Sequence, residues 1–240
     1  VGYTEAYESD LIRGDQDPLP WRLRAEITAL ALGTDRLLDI GCGTMFKTLA
    51  LAPLVRQVVG VEPNPRMLAQ AHTNITASAV GNAVVVAGRA EQLPFPDSSF
   101  DLVTVMLAPH DTSEISRVLR PGGRAVLEKI GDRDKWNFKT EFGADDHGPR
   151  GQFADLDQGQ RAREYEDEFA GLFDRVEVRE GFWATYYSRT GLELLLEQTS
   201  AIRGFDPVAD KAVLDRICQE WTTHRGIKTI QNRMLIQAWK

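Results

Sequence analysis

The chain has 240 residues, with 28 Lys and Arg against 35 Asp and Glu and a formal net charge of −7. That acidity argues against a protein whose main task is to hold nucleic acid, which needs a basic footprint, and no apolar run approaches the roughly 20 residues of a membrane span. Two cysteines, Cys42 and Cys218, make neither a disulfide framework nor a zinc site. Residues 1–17 are polar and acidic, unlike a secretory leader, so the expectation is a cytoplasmic protein that holds no metal.

Residues 1–20 read as an irregular arm with Tyr3 and Tyr7, closed by Pro18 and Pro20. A helical pattern runs from Trp21 to about Leu32, with Leu23, Ile27 and Leu30 apolar and Gly33 at its end. A first strand at about 36–40 enters the turn Gly41-Cys42-Gly43-Thr44, and a helical pattern with Leu49, Ala50 and Leu54 follows, ending near Pro53. A second strand at about 57–61 ends at Glu62. Asn64 then reads as an N-cap and Pro65 as a first helical residue. Val84-Val85-Val86 is a short buried strand, and residues 102–106 make a fourth. Asp111 and Glu114 have capping-box spacing before Ile115, Val118 and Leu119. Arg117 and Arg120 fall in the last turn, Pro121-Gly122-Gly123 stops it, and Ala125-Val126-Leu127 is strand five.

Residues 131–160 have no clean period: charged residues crowd among Trp136, Phe138, Phe142 and Phe153. Beyond them the pattern predicts a helix over about 160–172 and a strand over about 175–181. A Thr190–Glu193 capping box opens a further helix, another starts at Asp206-Pro207, and a last strand covers about 233–239. Strands alternating with helices across short loops predict a parallel, doubly wound α/β sheet.

Glycines between a strand and a helix let the backbone turn tightly and let a ligand approach, and a carboxylate about twenty residues on suits a ribose hydroxyl pair. Glu62 stands nineteen residues past Gly43. The turn reads Gly41-x-Gly43-x-x-Phe46, without the third glycine of the dinucleotide fingerprint, which counts against NAD or FAD. Two later stretches accompany it, Ala90-Glu91-Gln92-Leu93-Pro94-Phe95-Pro96-Asp97-Ser98-Ser99-Phe100-Asp101 and Arg117-Val118-Leu119-Arg120-Pro121-Gly122-Gly123.

In this order and spacing the set resembles the class I S-adenosylmethionine-dependent methyltransferases of the ubiquinone-pathway, type 11 kind, over roughly residues 35–130. The resemblance implies one domain: arm and helix at 1–34, cofactor core at 35–130, a lid insert at 131–160, and C-terminal helices and strands at 161–240. The sheet it implies is Rossmann-like, mostly parallel and seven-stranded, with helices on both faces. It implies S-adenosylmethionine held by Asp39, Gly41, Cys42, Gly43 and Thr44 at the turn, Glu62 on the ribose, and Pro63, Met67, Arg89, Ala90, Glu91 and Leu107 around the rest. S-adenosylhomocysteine is the implied product.

Two positions depart from the family pattern. Met45 stands where glycine is common, and it either narrows the room beside the cofactor or packs under the helix. Arg89 stands where an acidic residue usually accepts from adenine. An arginine has no acceptor, so Glu91 or a backbone carbonyl takes that place, with Arg89 turned to solvent or stacked on the ring.

His110 follows strand four at the carboxyl edge, where ligands of open α/β sheets bind. It is the candidate general base, and a turn residue before the Asp111 cap on the bland reading. Trp136, Phe138, Tyr186 and Tyr187 are the candidate acceptor contacts, in a lid whose charged residues stay solvated when it is open. The expected reaction is methyl transfer to an oxygen, nitrogen or carbon of a small molecule, secondary metabolism included, by a monomer or homodimer away from membranes. Methylation of an RNA guanine, on a loose C-terminal likeness, is the alternative; binding of S-adenosylmethionine without methyl transfer is the third.

Overall fold

The computed structural model describes residues 14–240, so Tyr3 and Tyr7 lie outside the described residues. The chain forms two compact units. The first comprises Trp21–Lys129, Ala162–Arg179 and Met234–Lys240. Its elements begin with α1 (Leu23–Leu30), β1 (Arg36–Ile40), a 3-10 segment (Thr48–Leu54), β2 (Gln57–Glu62), α2 (Pro65–Ala77), β3 (Ala83–Ala87) and β4 (Phe100–Met106). Then come α3 (Thr112–Val118), β5 (Leu119–Ile130), α4 (Gln160–Ala170) and the portions within this unit of β6 (Arg175–Tyr187) and β7 (Gly226–Trp239).

The strand order is β3-β2-β1-β4-β5-β7-β6. The pairs β1–β2, β1–β4, β2–β3 and β4–β5 are parallel. β7 runs against them: the Lys240 N–H donates to the Gly123 carbonyl, and the Gly131 N–H to that of Asn232. The expected seven strands are present. Two-residue strands at Asp15–Gln16 and Thr222–Thr223 bring the described sheet to nine.

Parallel strands buried on both faces read as continuous apolar runs, and alternate residues divide between two cores. Leu38, Ile40, Val59, Val61, Val103, Val105 and Leu127 pack with Tyr165, Phe169 and Phe173 on one face. Leu37, Val58, Leu102 and Val126 pack with Trp21, Ile27, Leu51 and Ala71 on the other. Between these apolar positions, on the α1 face, sits Asp39, fully buried. One of its carboxylate oxygens accepts from the Thr104 hydroxyl on β4 at 2.8 Å. The other accepts from the Thr48 hydroxyl beyond the turn.

The α-helix expected straight after the glycine turn is a 3-10 segment with Pro53 inside it. Thr48 is committed to Asp39, and proline cannot donate its share of a helical ladder. Pro121-Gly122-Gly123 does not end a helix. α3 stops at Val118, and Arg120 and the two glycines belong to the start of β5. Asn64 does cap α2, accepting from Arg66 N–H at 2.9 Å, and Asp111 caps α3 through Glu114 N–H at 2.9 Å.

The second unit comprises Ile130–Arg161, Glu180–Arg233 and, of the described residues before Trp21, Gly14–Pro20. α5 (Arg189–Gln198) and α6 (Lys211–Trp221) enclose a core of Phe138, Phe142, Leu192, Leu196, Leu214, Ile217 and Ile227. Ser188 caps α5 through Gly191 N–H at 3.0 Å. The Thr190–Glu193 box does not form: the helix begins at Arg189, so Thr190 lies inside it, and Glu193 pairs with Arg189 at 2.9 Å. α6 starts at Lys211, not at Asp206-Pro207. Asp206 accepts from the N–H groups of Val208 and Ala209, both at 2.8 Å, and holds a turn there.

The charged residues of 131–160 are not all solvated, contrary to expectation: Asp132, Asp134, Lys135 and Lys139 are buried. Asp134 accepts from Lys135 Nζ at 2.6 Å and from Asn232 N–H at 3.0 Å, and it pairs with Arg233. Burial alone would raise its pKa; Arg233 and Lys135 outweigh that and hold it at about 2. A buried charge persists when it is paired and hydrogen-bonded in this way. Lys139 has the carbonyls of Asp132 and Gln152, at 2.5 and 2.8 Å, and burial pushes it down to about 8.

Two outcomes follow for the first unit. A Cβ at Gly60 would lie 2.4 Å from Met45 Sδ and 2.6 Å from Cys42 Sγ, so Gly60→Ala should destabilise the protein by roughly 1–3 kcal/mol in urea unfolding. Burial, opposed by the two threonine hydroxyls, raises the Asp39 pKa from 3.8 to about 6. The folded state therefore holds this proton more tightly than the unfolded chain. The group's contribution is full below about pH 3.8 and is lost as pH rises through about 6, a change of ~3 kcal/mol. Asp39→Asn lacks this titration, so its stability relative to the parent should improve by up to that amount between about pH 4 and pH 7. A flat difference across that range would show that Asp39 stays ionised when folded.

Candidate functional site

The carboxyl ends of β1, β2, β4 and β5 converge on the glycine turn. Gly41 has φ +70° and Gly43 φ +56°, both in the left-handed region that favours glycine. A Cβ at Gly41 would sit 2.3 Å from Ala108 Cβ, so the turn lies directly against the loop leaving β4. A Cβ at Gly43 would meet nothing within 4 Å, which leaves space beside the backbone there for a ligand. The N–H groups of Gly41 and Cys42 both donate to the Val61 carbonyl, at 2.9 and 3.1 Å.

Glu62 closes this arrangement. One carboxylate oxygen accepts from Gly43 N–H at 3.0 Å and the other from Asn64 N–H at 2.8 Å. It is nearly buried at the end of β2, and Pro63 links it to the Asn64 cap of α2. Each carboxylate oxygen has two acceptor lobes, so both retain capacity for a hydroxyl. Asp39 stands differently: its oxygens are occupied by Thr48 and Thr104, beneath the turn.

Met45 has φ +65° and is fully buried in the α1-face core. Of its two readings, packing is the one observed. Cys42 is buried too, and burial together with Asp39 and Glu62 raises its thiol pKa far above the ordinary value. Thr44 offers its carbonyl to Asn74 Nδ2 at 2.9 Å, tying the turn to α2, the helix that also carries Met67. Arg89 turns to solvent and meets Glu91 at 3.4 Å, with both side chains exposed; Ala90 between them is buried. Leu107 adopts φ +55° where β4 ends. The Leu93–Pro96 loop is held from α3: Arg117 donates to the Phe95 carbonyl at 2.7 Å and pairs with Glu114, which accepts from Leu93 N–H at 2.7 Å.

His110 lies on the opposite face from Glu62. Its ring stacks on Phe169, with centroids 5.8 Å apart, and lies near Tyr165; its Nε2 is 3.4 Å from Glu168 of α4. Glu128 is a residue that the sequence reading passed over. It pairs in register with Met106 at the end of β5, two residues past Val126 on the α1 face. Its Oε1 accepts from Trp21 Nε1 at 2.9 Å. The neighbouring Lys129 donates to the Ala108 carbonyl at 2.5 Å and so fixes the loop against which Gly41 rests. The available signal was alternation: Val126 and Glu128, like Val58, Gly60 and Glu62, share a face.

In the other unit Trp136 is 51% exposed, whereas Phe138 is wholly buried in the α5–α6 core. Tyr187 joins that core as well. Tyr186 lies under the Arg225 guanidinium, 3.9 Å from its centroid. Among the described residues no group of His, Cys, Asp and Glu side chains is placed to hold a metal ion. No described helix is long and apolar enough to cross a membrane.

Residues 38–127 match the family model described as Methyltransferase domain. The uncharacterized methyltransferase YcgJ of Bacillus subtilis is 33% identical over 130 residues, covering 51% of this chain and 50% of that protein. The demethylmenaquinone methyltransferase of Geobacillus kaustophilus is 37% identical over 117 residues, 45% of this chain and 50% of that one. The chain thus spans about half the length of the curated relatives it matches. In fold, the crystal structure of YcgJ superposes with a TM-score of 0.67 at 22% identity, over 91% of this chain and 97% of that one. A [4+2]-cyclase, SpnF, superposes with a TM-score of 0.56 at 18% identity, over 90% and 80%. The segment containing the glycine turn, Glu62 and β4 thus matches a methyltransferase domain.

Proposed function

We propose that the protein transfers the methyl group of S-adenosylmethionine to an oxygen, nitrogen or carbon nucleophile of a small molecule. The observation that carries this is the Glu62 carboxylate bridging Gly43 and Asn64 beside the open space at Gly43. A carboxylate so placed accepts from two vicinal ribose hydroxyls. The methionine end runs along Gly41–Thr44, and the adenine lies toward Ala90 and Glu91. S-adenosylmethionine supplies an already activated methyl group, so the protein's part is to bind, orient and exclude water. Positioning of that kind is worth roughly 7–11 kcal/mol of barrier when the geometry is near attack.

We place the acceptor at Glu128. Asp39, Glu62 and Glu128 are two or more residues apart on parallel strands but share the α1 face, by the pairings Asp39–Thr104, Thr104–Val126 and Met106–Glu128. Trp21 holds one oxygen of Glu128. The other is available to a hydroxyl or protonated amine of the acceptor and takes its proton if the nucleophile releases one. The small-molecule reading is supported by the acidic chain and by relatives that include a demethylmenaquinone methyltransferase.

Isothermal titration with S-adenosylhomocysteine tests the cofactor, and labelled S-adenosylmethionine incubated with a metabolite extract tests transfer. Binding without any labelled product would reduce the reading to a cofactor-binding protein. Glu62→Ala should weaken S-adenosylhomocysteine about ten- to a hundredfold, since hydrogen bonds to a charged group contribute about 1.5–3 kcal/mol. Unchanged affinity in a folded variant would place the ribose elsewhere. Glu128→Gln keeps the Trp21 bond but loses the charge. It should slow labelled transfer by about tenfold or more while S-adenosylhomocysteine affinity stays within about twofold; full transfer would remove Glu128 from the acceptor site.

A further inference from the structure

The edge of the sheet opposite the glycine turn carries an open cavity. It has a volume of about 550 Å³ and is lined by Arg36, Arg56, Gln57, Gly81, Asn82 and Arg120. These residues stand at the amino ends of the strands: Arg36 and Gln57 open β1 and β2, Asn82 precedes β3, and Arg120 is second in β5. Nothing in the methyl-transfer reading uses them. We propose that this cavity binds a phosphate-bearing small molecule through the three guanidinium groups.

The charge balance points that way. Asp101 is the acid that meets the lining arginines, accepting from Arg120 Nη1 at 2.7 Å and from the Arg36 backbone N–H at 2.8 Å. Asp35, the other nearby acid, is buried in its own pair with Arg124. Two of the three positive charges are thus uncompensated, in a chain of net charge −7. Arginine stays protonated at any working pH, so this surplus is permanent.

Two of the three guanidinium groups are held in place before any ligand arrives. Arg36 donates from Nε to Gln57 Oε1 at 2.9 Å and lies over the Phe100 ring at 4.7 Å. Arg120 donates from Nε to the Ser98 carbonyl at 3.1 Å. Each leaves its Nη2 uncommitted among the described residues, as Arg56 leaves its whole guanidinium. Asn82 fixes the wall between them by donating to the carbonyls of Ala52, Val55 and Arg56 at 2.9, 3.0 and 3.3 Å. Fixed forks with free N–H groups suit phosphate oxygens, which they meet by charge-assisted hydrogen bonds.

The test is isothermal titration with sodium pyrophosphate and, separately, with uridine diphosphate. Both are run against sodium chloride at matched ionic strength, with S-adenosylhomocysteine saturating so that its own site is filled. Saturable one-to-one binding is expected, with Arg56→Ala weakening it by about tenfold or more. Arg56 is exposed, so the variant should fold. Its S-adenosylhomocysteine affinity, unchanged within about twofold, checks that. Tighter binding of uridine diphosphate than of pyrophosphate would identify a nucleotide; equal affinities would identify free pyrophosphate. No saturable heat with either probe, or equal affinity in Arg56→Ala, overturns the proposal. So does binding confined to an oligoribonucleotide with a steep salt dependence, which would make the arginines a backbone track.

Discussion

The buried carboxylate of Asp39 is the constraint on which the first unit depends. A carboxylate within an apolar sheet costs several kcal/mol unless its oxygens are satisfied. Here the two hydroxyls come from opposite directions, Thr104 on the neighbouring strand and Thr48 beyond the glycine turn. Satisfying Asp39 therefore fixes where the chain must be nine residues later, and with it the path of Gly41–Met45. That path needs two left-handed glycines, accepts a third left-handed residue in Met45, and presses Gly41 onto Ala108. Glu62 then acts on a turn already in place and joins it to α2 through Gly43 and Asn64.

The elements that could be read from the sequence are those whose local chemistry and tertiary role agree. β1 and β2 are runs of apolar residues bounded by turn residues. The Asn64-Pro65 start of α2 and the Asp111 cap of α3 formed as their residue types dictate. The misreadings have other causes. Thr48 took a tertiary partner, Asp39, and a 3-10 segment stands there. α5 begins one residue before Thr190, with Ser188 as its cap, and Glu193 pairs locally with Arg189. β5, β6 and β7 exceeded their expected lengths because pairing with neighbouring strands extends past the apolar stretch that announces them.

The site was legible to the same degree. Gly41 and Gly43 could be read because a left-handed turn demands glycine, and Glu62 because it ends the second apolar run at a fixed spacing from that turn, where it accepts from Gly43 and Asn64. Glu128 could not, because one glutamate at the end of a strand signals nothing until register aligns it with Met106 and Trp21 reaches its oxygen. Arg89 was an open question in sequence; exposure and the pairing with Glu91 resolve where its side chain goes. Asp134 and Lys135 are adjacent charges of the sort that usually mark a solvated loop. What compensates the buried Asp134, besides Lys135, is Arg233, 99 residues beyond it in the chain.

The sheet of the first unit is electrically polarised from end to end. Its carboxyl edge carries Glu62 and Glu128, with Asp39 buried beneath the turn, and its amino edge Arg36, Arg56, Arg120 and Arg124, the last two paired with Asp101 and Asp35. Strand dipoles contribute little to such an asymmetry, so the side chains create it. The consequence runs in opposite directions at the two ends. At the carboxyl edge a cation is favoured over a neutral group of the same shape, whereas the amino edge repels a cation and attracts an oxyanion, so the two ends sort ligands by charge before any contact is made.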